Sequence, residues 1–408
     1  MIVLEGGDVV LPDRVVCSGV VVVDGRRVVA VGEPAVVARA VEAAGVPPTR
    51  IDVTGHYVVP GFIDVHVHGL EGVDTLDGDG AVARIASRLP SHGVTAFCPT
   101  TVACAPHALR AVLAEVTALR ARPDTGARVL RAHLESNFLN PDWAGAQPAG
   151  CLRLPPPAVR GSQPVPALDS APFSADDILA VIRTARDAVG IVTLAPELPG
   201  ALDLIRQLVS AGHCVSLGHS GATFEEAMAA IAAGARHATH LFNRMPPLSH
   251  RAPGLVGAVL ASDAVAAELI CDGEHVHPAL CRVAIAAKGL DGILAISDGT
   301  AAAGLPSGST ARLGGETIVV GERAALRTDG TLAGSTRTMA DIFRTLVSTI
   351  GLSVVEAARL CATTQALRLG LTGLGTIAPG ADADLVLLDR TLTVRRTWVA
   401  GREVHPVG

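Results

Sequence analysis

Two histidines one residue apart, His66 and His68, close an apolar run that reads Pro60-Gly61-Phe62-Ile63-Asp64-Val65-His66-Val67-His68-Gly69. On a β-strand alternate side chains share a face, so both imidazoles point the same way and can chelate one divalent ion. A bare His-x-His also fits a polar strand end. Four further apolar runs finish in ligand-type residues: Arg131-Ala132-His133-Leu134-Glu135, Ser216-Leu217-Gly218-His219-Ser220, His237-Ala238-Thr239-His240-Leu241 and Ala295-Ile296-Ser297-Asp298-Gly299. Taken singly, each fits a capped strand or a hydrogen-bonded core residue. Taken together, they place imidazoles and carboxylates at the same end of several strands. A donor set of nitrogen and oxygen without thiolate suits zinc, iron, manganese or a similar divalent ion, with one or two ions accommodated.

Those runs belong to an alternating pattern. Strands are expected over 57–68, 94–100, 127–135, 191–195, 213–218, 236–240, 264–271 and 292–298, with helices between most of them. Alternation of this kind predicts a parallel sheet, and eight strands predict a closed (β/α)8 TIM barrel, whose catalytic residues collect at the C-terminal ends of the strands. Both termini are β-rich instead. Val20–Val23 and Val28–Val31 flank Asp24-Gly25 and read as a hairpin with a tight turn. Residues 383–388 and 394–404 supply further short strands. The expected organisation is a small composite β-sandwich domain, 1–57 with 376–408, around a catalytic barrel domain, 58–375. Two insertions interrupt the barrel: a Pro-rich loop at 148–174 and a segment at 299–335 that reads as a flap or small hairpin over the mouth.

Composition excludes several functions. The chain of 408 residues is 49% apolar and carries a net charge of -6. Aromatic residues make up 2%, so it lacks both the basic stripe and the stacking rings of a nucleic-acid binder. No charged-then-apolar leader and no apolar run long enough for a membrane span is read. The eight cysteines are scattered without a Cys-x-x-Cys pair and read as reduced thiols, which points to the cytoplasm. All but one of the 33 basic residues are arginines, the exception being Lys288.

With these blocks in hand, the chain resembles the amidohydrolase superfamily and, within it, the N-acetylglucosamine-6-phosphate deacetylases. The resemblance runs over nearly the whole length. It includes the His66/His68 run, His133-Leu134-Glu135, Thr193-Leu194-Ala195-Pro196-Glu197, Gly218-His219-Ser220, Thr239-His240-Leu241-Phe242-Asn243, Asp272-Gly273-Glu274-His275-Val276, Ser297-Asp298-Gly299 and Leu332-Ala333-Gly334-Ser335. Many relatives bridge two metals with a carboxylated lysine on strand 4. Lys288 falls in a helical stretch between strands 7 and 8, and the resemblance implies Glu135 as the bridge instead.

The resemblance implies metal-dependent hydrolysis of the N-acetyl amide of an amino-sugar phosphate. Glu135, His219 and His240 would hold one ion, and His66 with His68 would offer a second site. Asp298 would serve as general base and then general acid. Asn243, His275, Leu332 and Arg251 match the substrate side, Arg251 reaching across a homodimer interface; Arg251 fits a surface turn as well, and His275 a core position.

Four features depart from the family pattern. Ser136-Asn137 replaces Gly-Pro, Gln147 stands where a histidine meets the substrate, Arg244 replaces alanine, and the 148–174 insertion follows Gln147 directly. All lie toward the substrate, which keeps open a second reading, hydrolysis of a different N-acyl or anionic amide. A third reading, a silent barrel used only for binding, requires lost ligands, and none is lost.

Overall fold

The computed structural model describes residues 1–43, 47–122, 126–156, 172–322 and 324–405. Its centre is a parallel sheet wound in sequence order. Barrel strand 1 is Phe62–Val67 and strand 2 is Val94–Thr101. Strand 3 comes in two pieces, Arg128–Val129 and Ala132–Glu135, both paired with strand 2. Strands 4 to 8 are Val189–Leu194, Cys214–Leu217, His237–Ala238, Ala266–Ile270 and Ile293–Ile296. Strand 8 packs beside strand 1, and their ladder pairing among the described residues lies at the rim. There Val67 bridges Gly299 in parallel, and the His68 and Gly69 amides donate to the Gly299 carbonyl at 2.8 and 2.9 Å. The barrel is thus nearly closed.

Alternate side chains divide the core in two. One set, including Ile63, Ala96, Cys98, Ile191, Leu294 and Ile296, fills the barrel interior. The other, including Phe97, Leu134, Val192, Leu217 and Leu269, meets the surrounding helices. Those helices start where the sequence supplies caps. Phe224–Ala233 opens on a Thr223/Glu226 capping box and stops at Gly234, whose φ of 117° suits glycine. Ala175–Thr184 opens on Ser174 and Asp177 in the same way.

The termini form a separate sheet. Its order is Arg402–His405, Val394–Val399, Leu385–Leu388, Tyr57–Pro60, Ile2–Val10, Val15–Asp24 and Arg27–Gly32, with Thr49–Asp52 added beside Ile2–Val10. Tyr57–Pro60 joins the halves, lying antiparallel to Leu385–Leu388 and parallel to Ile2–Val10. This corrects the expected strand 57–68: its first four residues serve the terminal sheet, and the barrel begins at Phe62. Gly61 marks the crossing, where a Cβ would lie 2.2 Å from Thr95 Oγ1. Two smaller expectations change as well. Asp24 pairs with Arg27, so the hairpin turn is Gly25-Arg26, one residue later than expected. Pro34–Ala43 is a helix inside the segment read as β-rich.

The 299–335 insertion is a three-stranded antiparallel sheet, Thr310–Leu313, Glu316–Val320 and Ala325–Arg327. Within the Pro-rich insertion 148–174, residues 157–171 lie outside the described residues. Among the described residues no helix is long and apolar enough to cross a membrane, and all eight cysteines are free.

Candidate metal centre and substrate cavity

At the C-terminal ends of the strands the expected ligands converge. Glu135 Oε1 lies 2.8 Å from both His219 Nε2 and His240 Nε2, and those two nitrogens are 3.0 Å apart. Beside them, His66 Nε2 is 3.1 Å from His68 Nε2 and 3.3 Å from Asp298 Oδ1. Glu135 Oε2 faces His68 Nε2 at 3.4 Å, so this carboxylate stands between the two groups. All six side chains are buried. Three of them sit on left-handed backbone, with φ of 48° at His219, 30° at His240 and 47° at Asp298. Such conformations are uncommon outside glycine and cost about 1–3 kcal/mol each, strain that gathers where side chains must be aimed.

The donor chemistry fits a divalent ion. His219 Nδ1 donates to the Trp143 carbonyl at 2.9 Å, which leaves a lone pair on Nε2 facing Glu135 and His240. His66 Nδ1 donates to Glu268 Oε2 at 2.8 Å, which aims its Nε2 lone pair at the second group. Electron-rich atoms this close repel unless a cation or proton lies among them. Burial would lower the His66 pKa, but the charges of Glu268, Asp298 and Glu135 outweigh it and raise the value to about 10. Burial would likewise raise the Glu135 pKa, and the surrounding rings, His219 first, hold it well below the usual carboxylate range. The field at this point favours positive charge.

A buried polar layer lies beneath the ligands. Glu268 accepts from His66 Nδ1, from His237 Nε2 at 2.9 Å and from the His240 amide at 3.2 Å. It therefore braces both ligand groups at once. His133 is fixed between the Val65 carbonyl (3.0 Å) and Thr193 Oγ1 (2.7 Å), so both ring nitrogens are engaged. His133 thus supports the floor beneath Glu135. Sequence reasoning passed over Glu268; its signal is a lone carboxylate in a strand, Ala266–Ile270, that is otherwise apolar and wholly buried.

Above the ligands opens a cavity of about 410 Å³. Its lining includes His68, Glu135, His219, His240 and Asp298, and also Gln147, Asn243, Arg244, His275 and Leu332. Trp143, Phe242 and Thr300 line it too; Phe242 lies in the block from Thr239 to Asn243, whereas Trp143 and Thr300 carried no motif in the sequence. Gln147 accepts from the Ala103 amide at 2.7 Å and donates to Glu135 Oε2, so it braces the carboxylate and keeps one amide N–H. Arg244 is half-buried beside Gly145, and among the described residues no carboxylate pairs with it. His275 Nδ1 meets Asp272 Oδ2 at 2.7 Å; burial would lower its pKa, and Asp272 outweighs burial and raises it. Arg251 stands apart, on an exposed turn outside this cavity. Ser136 and Asn137 also turn away from it. The Ser136 hydroxyl donates to the Thr193 carbonyl, and Asn137 Nδ2 donates to the Cys104 and Cys151 carbonyls. Of the departures from the family pattern, Gln147 and Arg244 are the side chains that reach the cavity. Lys288 ends the helix Pro278–Lys288 and donates to the Ser262 carbonyl, away from strand 4.

The sequence profile of the amidohydrolase family matches residues 57–404. The chain belongs to that family. Among curated amidohydrolase relatives it is 38% identical over 369 residues to the human N-acetylglucosamine-6-phosphate deacetylase, covering 87% of this chain and 85% of that protein. It is 34% identical over 365 residues to an N-acetylgalactosamine-6-phosphate deacetylase of Escherichia coli O157:H7, covering 88% and 91%. Among solved structures it resembles the Mycobacterium smegmatis N-acetyl-D-glucosamine-6-phosphate deacetylase, a mutant in complex with N-acetyl-D-glucosamine-6-phosphate. That match has a TM-score of 0.84 and 33% identity, and covers 99% of each chain. The family acts on carbon–nitrogen amide bonds with a divalent metal, and the donor set here is of that kind.

Proposed function

We propose that this chain hydrolyses the N-acetyl amide of N-acetylglucosamine 6-phosphate to glucosamine 6-phosphate and acetate. The observation that carries the reading is the meeting of Glu135, His219 and His240 with Asp298 at the floor of one cavity whose wall holds Arg244. Glu135, His219 and His240 would hold one ion, and His66 with His68 a second. Zinc fits this set best, with iron or manganese close behind. A divalent ion held there supplies Lewis acidity, polarising the amide carbonyl and lowering the pKa of water.

The side chains do the rest. Asp298 accepts the proton of the attacking water and returns it to the departing nitrogen, so one carboxylate serves as base and then as acid. Gln147 and Glu268 hold the ligands in place. Asn243, Arg244 and His275 bind the sugar phosphate, and Leu332 covers it. Arg251, exposed on its own chain, completes the anion site of the partner in a homodimer. A cytoplasmic setting matches free cysteines and a small phosphorylated substrate. The barrel, from Phe62 onward, acts as the catalytic domain, and the terminal sheet supports it.

A second reading, the galactosamine epimer or another N-acyl amide, is favoured by the Escherichia coli relative and by Gln147 and Arg244. One comparison separates the two. Acetate release is measured with N-acetylglucosamine 6-phosphate, its galactosamine epimer and unphosphorylated N-acetylglucosamine. The first reading expects the highest kcat/KM for N-acetylglucosamine 6-phosphate and the lowest for the unphosphorylated sugar. A clear preference for the epimer establishes the second reading instead.

A further inference from the structure

At the opposite end of the barrel, a second cavity of about 240 Å³ opens where strands 3, 4 and 5 begin. Arg120, Arg131 and Arg368 line it, and among the described residues no acidic one does. A fourth arginine, Arg186, stands close by: a Cβ on the lining residue Gly212 would lie 3.4 Å from its guanidinium. Each of the four is anchored by a neutral backbone carbonyl. Arg131 donates to the Arg186 carbonyl at 3.1 Å, Arg368 to that of Asp291 at 2.7 Å, Arg186 to that of Ala211 at 2.5 Å, and Arg120 to that of Asp187. Among the described residues none of the four forms an ion pair. These bonds aim the guanidinium groups without neutralising them.

Arg131 Nε is, in addition, buried and has no hydrogen-bond partner among the described residues. A buried donor left unmatched costs free energy, and an oxyanion is the partner a guanidinium fork recognises best. Burial lowers the Arg131 pKa, as do the like charges of Arg120 and Arg186, against the pull of Asp187. The remaining wall, with Leu130, Leu371 and Ile191, is apolar, and Gly190 and Gly212 leave it room.

We propose that this cavity binds a small organic anion, a phosphate monoester or carboxylate. The oxyanion meets Arg131 and Arg368, and a compact apolar body lies against Leu130 and Leu371. The site is remote from the substrate cavity and independent of the activity proposed above.

Calorimetric titration tests it with butyl phosphate, pentanoate and, as the uncharged control, butanol. Binding of either anion without binding of butanol is expected, and the stronger of the two names the oxyanion. The double variant R131Q/R368Q should weaken that binding at least tenfold while amide hydrolysis stays within twofold of the parent. R244A, which alters the substrate cavity, should leave it intact. Cys214, half-buried in the cavity wall, supplies a local readout, since the bound anion should slow its alkylation by iodoacetamide. Isotherms that superimpose for parent and double variant overturn the proposal, as does binding of neither anion. R368Q alone, at an exposed position, gives the same decision should the double variant not fold.

Discussion

Replacing Glu268 by glutamine tests whether the layer beneath the ligands positions them. The side chain is fully buried and receives His66 Nδ1 at 2.8 Å, His237 Nε2 at 2.9 Å and the His240 amide at 3.2 Å. Glutamine keeps the shape but offers one acceptor oxygen and one NH2 group. Whichever ring faces the NH2 must give up its own N–H on that side. If that ring is His66, the proton moves to Nε2 and the atom aimed at His68 and Asp298 ceases to be a ligand. Loss of a charge-assisted bond in a buried setting costs about 1.5–3 kcal/mol. Removing the carboxylate partner of a metal-binding histidine typically weakens metal affinity or activity about 10–100-fold. The assays are metal affinity by competition with a chromogenic chelator, metal content after gel filtration, and thermal unfolding. E268Q should lose at least tenfold in affinity, and Tm should fall. Parent-like affinity within twofold, together with an unchanged Tm, would refute a positioning role for Glu268.

Further outcomes follow from the same geometry. Asp298→Asn should lower kcat by about 10²–10⁴, the usual worth of general acid–base catalysis, with KM changed little; steady-state acetate release checks it. Arg244→Ala should lower kcat/KM for the phosphorylated sugar about 10–100-fold, since a charge-assisted hydrogen bond is worth about 1.5–3 kcal/mol, and should spare the unphosphorylated sugar. His275 has its pKa raised by Asp272 against the effect of burial, so it stays protonated above the ordinary imidazole range. KM for an anionic substrate should therefore rise as pH increases through that elevated pKa, and H275N should flatten the profile. The stabilisation linked to this proton has the same sign: complete below the unfolded pKa of about 6.5, and lost as pH rises through the folded value.

Much of the candidate centre was legible because its residues lie at the ends of strands. His66 and His68 declare themselves by the two-residue period, and Glu135, His219, His240 and Asp298 each close an apolar run. The alternation of strand and helix gave the barrel for the same reason. What stayed hidden depends on long-range packing. Glu268 is a single acid in an apolar strand, and only the fold shows that it meets His66, 202 positions away. Trp143 closes a three-residue 3-10 turn, too short to show any periodicity. Gln147 lies in the right place, yet its bonds to Ala103 and Glu135 turn it toward bracing a ligand, which its residue type alone does not reveal. Tyr57–Pro60 and the barrel strand after it form one apolar run, so pairing partners, not hydrophobicity, divide them at Gly61.

The central claim is that a divalent ion in the Glu135, His219 and His240 site drives hydrolysis of a phosphorylated N-acetyl sugar. It is tested most directly by acetate release from N-acetylglucosamine 6-phosphate before chelation, after chelation and after adding back zinc, with metal content measured on each sample. The account predicts activity that disappears with the metal and returns in proportion to the zinc bound. Full activity in metal-free protein, or no acetate from fully loaded protein, contradicts it.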